Sequence, residues 1–361
     1  MKNLVLVGGG HANLSIIKKQ KKESHRDKNF TLISPDPYQY YSGMFSGFAE
    51  GIYSLNDIRI DLQSFCNAHG VTFVCDTAER IESENKQLIL SNNEPLAYDA
   101  LSVNAGSYVQ DPVPGVSEHA LSLKPNFRFP EVVDQLRYSE KPVIVGGGAA
   151  GVELAFSLTA WRDKNVPGNK GISLVTRGHV LDGQAGTTQR KVRRLLLDKN
   201  IHLFENDAVK EVLPRLLKTE KGVIDGDDIL WLAGPKAPPL IEKSSVKKSS
   251  DGFLLVNEFM QSVSDPSIFG AGDCVTLQPY PDLPKNGVYA IRQSRELYKN
   301  VTEYLKGEEL QPFKPQNKYL AILSAGHKEG VLTYGDYSFY GKWAWKLKNK
   351  IDRKFMKTLR C

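Results

Sequence analysis

A glycine cluster in the middle of the chain has the spacing of a phosphate-binding turn. Gly146, Gly148 and Gly151 follow the short apolar run 143–145 and precede a helix-like segment. In such a turn the first glycine allows a tight bend, the second lets a pyrophosphate approach the backbone, and the third brings the helix close to the strand. The helix N-terminus then offers free N–H groups and a partial positive charge. The cluster therefore predicts a dinucleotide site. Its expected contacts are Gly146, Gly148, Ala149, Ala150 and Gly151.

A second cluster near the N-terminus is an incomplete copy. Gly8 and Gly10 follow a buried-type apolar run, but Asn13 stands where the pattern has glycine or alanine. Because both phosphate-facing glycines are present, we predict that this turn also binds a dinucleotide, on a helix that packs slightly differently. His11 and Ala12 complete the turn as residues that contact the cofactor or pack beside it.

The two turns define the architecture. Each is followed by a second apolar run, so each begins a βαβ unit. Linker-like stretches at 112–115 and 234–239 enclose the second unit. We predict an α/β protein with two Rossmann-like domains, the second inserted in the first. The predicted segments are 1–111 and 248–310 for the first domain, 112–247 for the second, and 311–361 for a C-terminal region.

The composition limits the classes of protein to consider. The chain is 41% hydrophobic and 24% charged, as in soluble globular proteins. No apolar run reaches the roughly 18 residues that a transmembrane helix needs. The N-terminus is typical of a first strand rather than a signal peptide, which predicts a cytoplasmic protein. The four cysteines show no metal-ligand spacing, so we predict neither a zinc site nor any other metal.

The charge is concentrated at the C-terminus. Residues 342–360 contain six Lys and two Arg against one acid, whereas the whole chain has a net charge of +6. The body of the protein is therefore nearly neutral, which argues against nucleic-acid binding.

The ribose-binding positions at the ends of the second strands differ between the two turns. Ser34 or Asp36 serves the first site by position. At the second site Arg177 stands where an acid is usual, and an arginine pairs with a 2′-phosphate that an acid would repel. We therefore expect NADPH to be accepted at least as well as NADH. The alternative is that Arg177 is a solvated surface residue.

Three further motifs carry a resemblance to a known superfamily. The stretches 98–107 and 230–234 resemble the crossover signatures of the two-dinucleotide-binding flavoproteins, the pyridine nucleotide-disulfide oxidoreductase superfamily. The stretch 270–274 resembles the motif whose aspartate bonds the ribityl chain of FAD. The resemblance implies FAD in the first domain and NAD(P)H in the second.

A closer resemblance is to a branch near the type II NADH dehydrogenases. It is carried by residues 7–12, 41–44, 285–290 and 345–356. Some members of that branch are fused to selenophosphate synthetase, and no such segment occurs here.

This resemblance assigns roles by position. Asp273 should bond the ribityl or pyrophosphate part of FAD, and the N-terminus of the helix at Gly287 should lie near the pyrimidine edge of the flavin. Tyr40 and Tyr41 should flank the isoalloxazine, unless they are core aromatics. Glu153 should lie near the nicotinamide, unless it is a structural helix residue. The further cofactor contacts are Ser42, Met44, Ala78, Ala105, Gly106, Gly234, Gly272, Val288 and Tyr289. The candidate catalytic residues are Glu153, Tyr41 and Lys285.

The cysteines argue against a thiol exit for the electrons. Disulfide reductases of this class carry two cysteines beside the flavin, and residues 38–44 contain none. Cys66 and Cys75 lie on apolar segments and are expected in the core, and Cys274 beside FAD. The electrons then go to a small-molecule acceptor: a quinone, dioxygen or another oxidant.

The tail suggests where that acceptor is met. Apolar residues recur every four positions between basic residues, as in a helix lying on a membrane surface. They are Trp343, Leu347, Ile351, Phe355 and Leu359. The alternative is that this stripe packs on the body or on a second subunit, and a homodimer is compatible with the sequence.

We therefore expect a cytoplasmic FAD-dependent NAD(P)H oxidoreductase, peripheral on the inner face of a membrane, that passes electrons to a quinone-like acceptor. One alternative is a soluble reductase linked to selenium or sulfur metabolism. Another is a redox-sensing flavoprotein with little turnover.

Overall fold

The computed structural model describes residues 1–20, 28–110, 112–316 and 318–360. Asp111, the predicted end of the first segment, lies outside the described residues. The strands are β1 Lys2–Val7, β2 Lys28–Ser34, β3 Tyr38–Tyr40, β4 Arg59–Asp61, β5 Thr72–Cys75, β6 Ala78–Glu82, β7 Gln87–Leu90, β8 Pro95–Ala97, β9 Ala100–Val103, β10 Tyr108–Val109, β11 Pro142–Val145, β12 Ile172–Val175, β13 Ile201–Phe204, β14 Val209–Leu213, β15 Leu216–Thr219, β16 Val223–Asp225, β17 Asp228–Trp231, β18 Pro235–Lys236, β19 Leu254–Val256, β20 Ile268–Gly270, β21 Val275–Leu277, β22 Leu320–Ser324, β23 Gly330–Tyr334 and β24 Tyr337–Gly341. The helices are α1 His11–Gln20, α2 Phe45–Ala49, α3 Leu55–Ile58, α4 Leu62–Ala68, α5 Val116–His119, α6 Phe129–Tyr138, α7 Ala149–Asn165, α8 Gly186–Asp198, α9 Pro239–Glu242, α10 Gly287–Lys306 and α11 Lys342–Lys357.

The first sheet combines strands from distant parts of the chain. Its order is β20-β9-β1-β2-β5, and every pairing is parallel. The central strand β1 is buried from Leu4 to Val7, because helices cover both faces of a parallel sheet. Strand β20 joins the sheet only after the second domain has been completed. The first fold is therefore interrupted by the second, as the sequence predicts.

The second sheet is a smaller parallel sheet with the order β13-β12-β11-β17. The long helix α7 follows β11 directly through the second glycine turn. The two connections between the folds run side by side, since β10 pairs antiparallel with β18. The indole of Trp231 donates a 3.0 Å hydrogen bond to the carbonyl of Gln110 across this junction.

Asn13 takes over the packing role of the missing third glycine. Its side chain is fully buried and its amide donates to the carbonyls of Val7 at 3.0 Å, Gly8 at 2.9 Å and Ser102 at 3.3 Å. The hydroxyl of Ser102 donates to its Oδ1 at 2.7 Å. The asparagine therefore fastens α1 to β1 and β9 by hydrogen bonds where a glycine would do so by close contact.

The C-terminal region is a β22-β23-β24 meander followed by α11. Helix α11 buries Ala344, Trp345, Asp352 and Met356 against the body. Among the described helices, none is long and apolar enough to cross a membrane.

We predict that Asn13→Ala lowers the free energy of unfolding by about 2–3 kcal/mol, because it removes several buried hydrogen bonds and leaves the Ser102 hydroxyl without its acceptor. Urea unfolding measures the change. Ser102→Ala is the matched control: added to Asn13→Ala, it should cost almost nothing further, because the orphaned hydroxyl is gone. Strictly additive losses would contradict the assigned network.

Candidate cofactor and electron-transfer site

A cavity of about 470 Å³ opens beside the first glycine turn. It lies at the carboxyl ends of β1, β2 and β9, where ligands of open α/β sheets bind. Many residues predicted from the sequence line it together: Gly8, Gly10, His11, Ser34, Asp36, Tyr40, Ser42, Ala78, Ala105, Gly106, Gly272, Asp273 and Gly287. The structure thus brings the scattered motifs to one site.

One side chain that the sequence analysis missed joins three of these motifs. Asn104 accepts a 3.0 Å hydrogen bond from the N–H of Ala12 and donates one of 2.6 Å to the carbonyl of Ala271. A Cβ built on Gly10 would lie 2.1 Å from Asn104 Oδ1, so only glycine fits at position 10. Asn104 lies within the motif at 98–107, but its hydrogen-bond partners are far away in the sequence, so the motif alone does not reveal this role.

Four predicted cofactor contacts do not line the cavity. Ala12 and Met44 are buried in the core. Val288 and Tyr289 begin α10, but both of their N–H groups donate to the side chain of Asn286 at 3.1 Å. This cap satisfies both N–H groups, so α10 contributes Gly287, Ala290 and its dipole to the cavity.

Two candidate catalytic residues are also turned elsewhere. Tyr41 is buried, and its hydroxyl donates to Asp352 Oδ1 at 2.9 Å. The ammonium of Lys285 donates to the carbonyl of Val275 at 2.6 Å and lies 3.8 Å from the centre of the Phe253 ring. Burial lowers the pKa of Lys285. Their catalytic roles stay predictions, which these contacts do not favour.

Glu153 belongs to a buried network of charges that reaches the tail helix. Its carboxylate accepts a 2.7 Å hydrogen bond from the N–H of Ser324 and a 3.4 Å bond from Ser46 Oγ. Lys348 of α11 donates to the carbonyl of Gly43 and, at 2.9 Å, to Asp352 Oδ2. The network connects the nucleotide-turn helix α7 to α11 across the segment that was predicted to flank the flavin.

The electrostatics of this network follow from its burial. Burial raises the pKa of the Glu153 carboxyl, and the Lys348 ammonium opposes that shift. Burial alone would lower the pKa of Lys348, but Glu153 and Asp352 outweigh it and raise the pKa. Burial and Asp352 both raise the pKa of Tyr41. Lys348 is therefore held charged between two acids.

The second glycine turn is open on its outer side, where the sequence predicts that phosphates bind. A Cβ on Gly148 would meet no atom within 4 Å, whereas one on Gly151 would lie 2.0 Å from the carbonyl oxygen of Gly146. Gly148, Ala149 and Ala150 are exposed. Arg177 is exposed just after β12, which is compatible both with binding of a 2′-phosphate and with a solvated surface residue. Gly234 follows β17 and has a left-handed backbone conformation.

The cysteine predictions are only partly correct. Cys66 and Cys274 are buried free thiols, but Cys75 is exposed, contrary to its expected place in the core. It lies at the last position of edge strand β5, where the chain leaves the sheet toward Asp76. Burial raises the pKa of Cys274 to about 11, so this thiol is protonated and unreactive.

His11 supports the presence of a ligand in the cavity. Its ring lies between Tyr41 and Phe355, with ring centroids 5.4 and 5.3 Å away. Its Nδ1 is buried without a hydrogen-bond partner among the described residues. Burial lowers the pKa of His11 to about 4, against the opposing effect of Asp273, so the ring is neutral at pH 7. An orphaned polar atom beside an open glycine turn fits a polar cofactor such as FAD.

Comparison with known proteins decides the family. A profile of the family described as pyridine nucleotide-disulphide oxidoreductase matches residues 2–294. The chain belongs to this family. It is 25% identical over 349 residues to an NADH dehydrogenase-like protein of Bacillus subtilis strain 168, with 95% of each chain covered.

Two solved structures share the fold of this family member. The sulfide:quinone oxidoreductase of Aquifex aeolicus gives a TM-score of 0.84 at 20% identity, covering 100% of this chain and 92% of that one. NDH2 of Plasmodium falciparum in complex with NADH gives 0.83 at 15% identity, covering 99% and 98%. The predicted family and fold class are confirmed. The cofactors of the family are FAD and NAD(P)H.

The pKa of His11 yields a testable pH dependence. Unfolded protein binds a proton at His11 below about pH 6.5, whereas the folded protein does so only near pH 4. Stability should therefore fall as the pH drops through this window. From pH 7 to pH 5, we expect the wild type to lose about 2 kcal/mol more than His11→Gln in urea unfolding. Equal losses in the two proteins would refute the buried neutral imidazole.

Proposed function

We propose that this oxidoreductase takes a hydride from NAD(P)H onto FAD and delivers the electrons to a quinone-like acceptor at a membrane surface. The two folds supply one site each: the cavity beside Gly8 and Gly10 for FAD, and the open turn at Gly148 for the nicotinamide nucleotide. When bound, these cofactors carry out the hydride transfer, and the protein contributes alignment, exclusion of water and electrostatics.

The observation that carries the proposed membrane site is the orientation of α11. The helix turns two charged side chains inward and two large apolar side chains outward. The Lys348 and Asp352 side chains are only 12% and 7% exposed, whereas Trp343 is 50% and Ile351 46% exposed. Burying charges and exposing large apolar side chains are each unfavourable in water. The internal hydrogen bonds to Gly43 and Tyr41 satisfy the buried charges, and an outer surface that meets lipid accounts for the exposed apolar side chains.

The apolar stripe predicted for the tail is divided: part of it packs on the body, and part is exposed and available to a membrane. Leu359 is buried on the body, Leu347 and Phe355 are half-buried, and Trp343 and Ile351 face outward. A row of exposed lysines flanks the stripe, each lysine directly preceding one of its first four apolar residues: Lys342, Lys346, Lys350 and Lys354. An aromatic and apolar stripe with a flanking row of lysines is typical of a helix on an anionic bilayer.

The neighbouring strand extends the same surface. Tyr337 and Phe339 of β24 are 70% and 52% exposed, and the Phe339 ring lies 6.3 Å from that of Trp343. Aromatic side chains that present an apolar body and a polar edge favour the membrane–water interface. We call Tyr337, Phe339, Trp343 and Ile351 the aromatic face.

The cysteines support an acceptor other than a protein thiol. Cys274 is protonated and buried, and Cys66 is buried in α4. A thiol relay needs an accessible thiolate with a partner beside it. Only Cys75 is exposed among the three described cysteines, and its Sγ contacts the carbonyl of Pro35 at 3.9 Å. A diffusible acceptor fits this arrangement.

A panel of acceptors tests the proposed acceptor class. Purified protein with FAD is given NADH or NADPH and, in separate reactions, a quinone analogue, dioxygen, or oxidised sulfur and selenium compounds. We expect the quinone to give the highest kcat/KM, and NADPH to serve at least as well as NADH because Arg177 accommodates a 2′-phosphate. Preference for a sulfur or selenium compound would replace the proposal by the soluble reductase, and negligible turnover with every acceptor would indicate a sensor.

Flotation with liposomes tests the membrane surface. The double variant Lys346→Glu/Lys350→Glu should reduce the fraction bound to anionic vesicles at least about tenfold, because each lysine near such a surface contributes about 1 kcal/mol. Trp343→Ser should also weaken binding, through loss of the aromatic anchor. Both changes leave the buried side of α11 intact.

The matched control is Lys210→Glu/Lys218→Glu, which makes the same change of charge on exposed lysines of β14 and β15. This control should float like the wild type. If both double variants lose binding equally, attraction is due to overall charge. If neither does, the aromatic face does not meet the membrane.

A further inference from the structure

Acidic side chains outnumber basic ones around the cofactor cavity. The described residues that line it include four acidic residues, Asp36, Asp76, Glu79 and Asp273, and two lysines, Lys124 and Lys243. A bound FAD adds a diphosphate with two further negative charges. The loop N–H groups and the helix dipole of α1 offset part of this charge, and His11 is neutral. A fixed cation in the lining would therefore offset part of the remaining negative charge.

The other charged side chains have hydrogen-bond partners other than Asp273 and Lys124. Lys243 donates to the carboxylate of Glu79. Asp36 accepts from the N–H of Tyr38 at 2.7 Å, and the Asp76 carboxylate accepts from the N–H of Thr77 at 2.6 Å. Asp273 also pairs with an ammonium group, since Lys124 Nζ lies 3.4 Å from its Oδ2.

Further hydrogen bonds hold Lys124 in this position. Its ammonium also donates to the hydroxyl of Ser107, which directly follows the cofactor motif at Ala105 and Gly106. Its backbone N–H donates to Ser122 Oγ at 3.2 Å, and that hydroxyl donates to the Lys124 carbonyl at 3.1 Å. The Lys124 side chain is 30% exposed and that of Asp273 24%, so the pair is largely shielded from water.

We propose that Lys124 is the counter-charge of the FAD site. It neutralises Asp273, so that this carboxylate can accept hydrogen bonds from the cofactor without repelling the neighbouring diphosphate. Lys124 lies between α5 and α6, outside every glycine motif, so a residue from the segment predicted for the second domain completes the site. The inference rests on FAD occupying this cavity and is independent of the electron acceptor.

The test is the affinity of the cofactor-stripped protein for FAD, measured by calorimetric titration without nicotinamide nucleotide or quinone. Lys124→Met should raise the Kd about tenfold to a hundredfold, as expected for the loss of a shielded charged hydrogen bond. Lys124→Arg keeps the charge and should stay within about threefold of the wild type. Lys141→Met, which removes a half-exposed lysine paired with Asp225, is the control and should bind normally.

A double-mutant cycle tests the assigned partner. In an Asp273→Asn background there is no carboxylate to neutralise, so Lys124→Met should raise the Kd less than about threefold. An equal effect of Lys124→Met in both backgrounds would overturn the proposal, as would unchanged affinity or a loss that Lys124→Arg fails to restore. Urea unfolding of each stripped variant identifies a folding defect, and Lys124→Gln then replaces the methionine variant. Failure of the quinone assay would leave this result unaffected.

Discussion

The side chain of Asn104 is the contact on which the cofactor site depends. It bonds the N–H of Ala12 and the carbonyl of Ala271, and so joins the first glycine turn, the end of β9 and the turn that carries Asp273. These segments lie 92 and 167 positions from it in the chain. Its position also explains Gly10, because a side chain there would collide with the Asn104 amide, and a side chain at Gly8 would collide with the Asn104 backbone. The amide dictates how closely the three segments approach, and the cavity is the space that remains between them.

Features set by local rules were predictable from the sequence. The glycine turns follow from the backbone geometry that a pyrophosphate requires, and the interruption of one fold by another follows from the order of the motifs. The cap at Asn286 is also set by a local rule, since asparagine is a preferred residue directly before a helix. It occupies the N–H groups of Val288 and Tyr289, whose contacts with the cofactor stay predictions.

Features set by long-range pairing were not predictable. A period of four residues in the tail predicts a helix, but not which of its stripes is buried. That choice depends on Lys348 and Asp352, whose partners Gly43 and Tyr41 lie about 300 residues earlier. Lys124 was missed for the same reason, since its partner Asp273 is 149 positions away. A single sequence carries no trace of such pairs.

The network through Lys348 also links the two ends of the proposed electron path. Lys348 is hydrogen-bonded to Asp352 on the tail helix, and it interacts electrostatically with Glu153 on α7. The helix whose outer surface we assign to the membrane is therefore fastened, by its buried charges, to the elements around the predicted flavin site. An acceptor dissolved in the bilayer would then meet the protein close to the cofactors. The charged residues of the tail therefore have two roles in this account: the buried ones fasten α11 to the body, and the exposed lysines attract it to an anionic membrane.

The most direct test of the central claim is an anaerobic stopped-flow experiment on the protein with bound FAD. Mixing with NAD(P)H should bleach the visible absorbance of the flavin rapidly, and a second mixing with a quinone analogue should restore it at a rate that supports turnover. Bleaching without reoxidation would contradict the proposed acceptor. Failure of NAD(P)H to bleach a bound flavin would contradict the two-cofactor account itself.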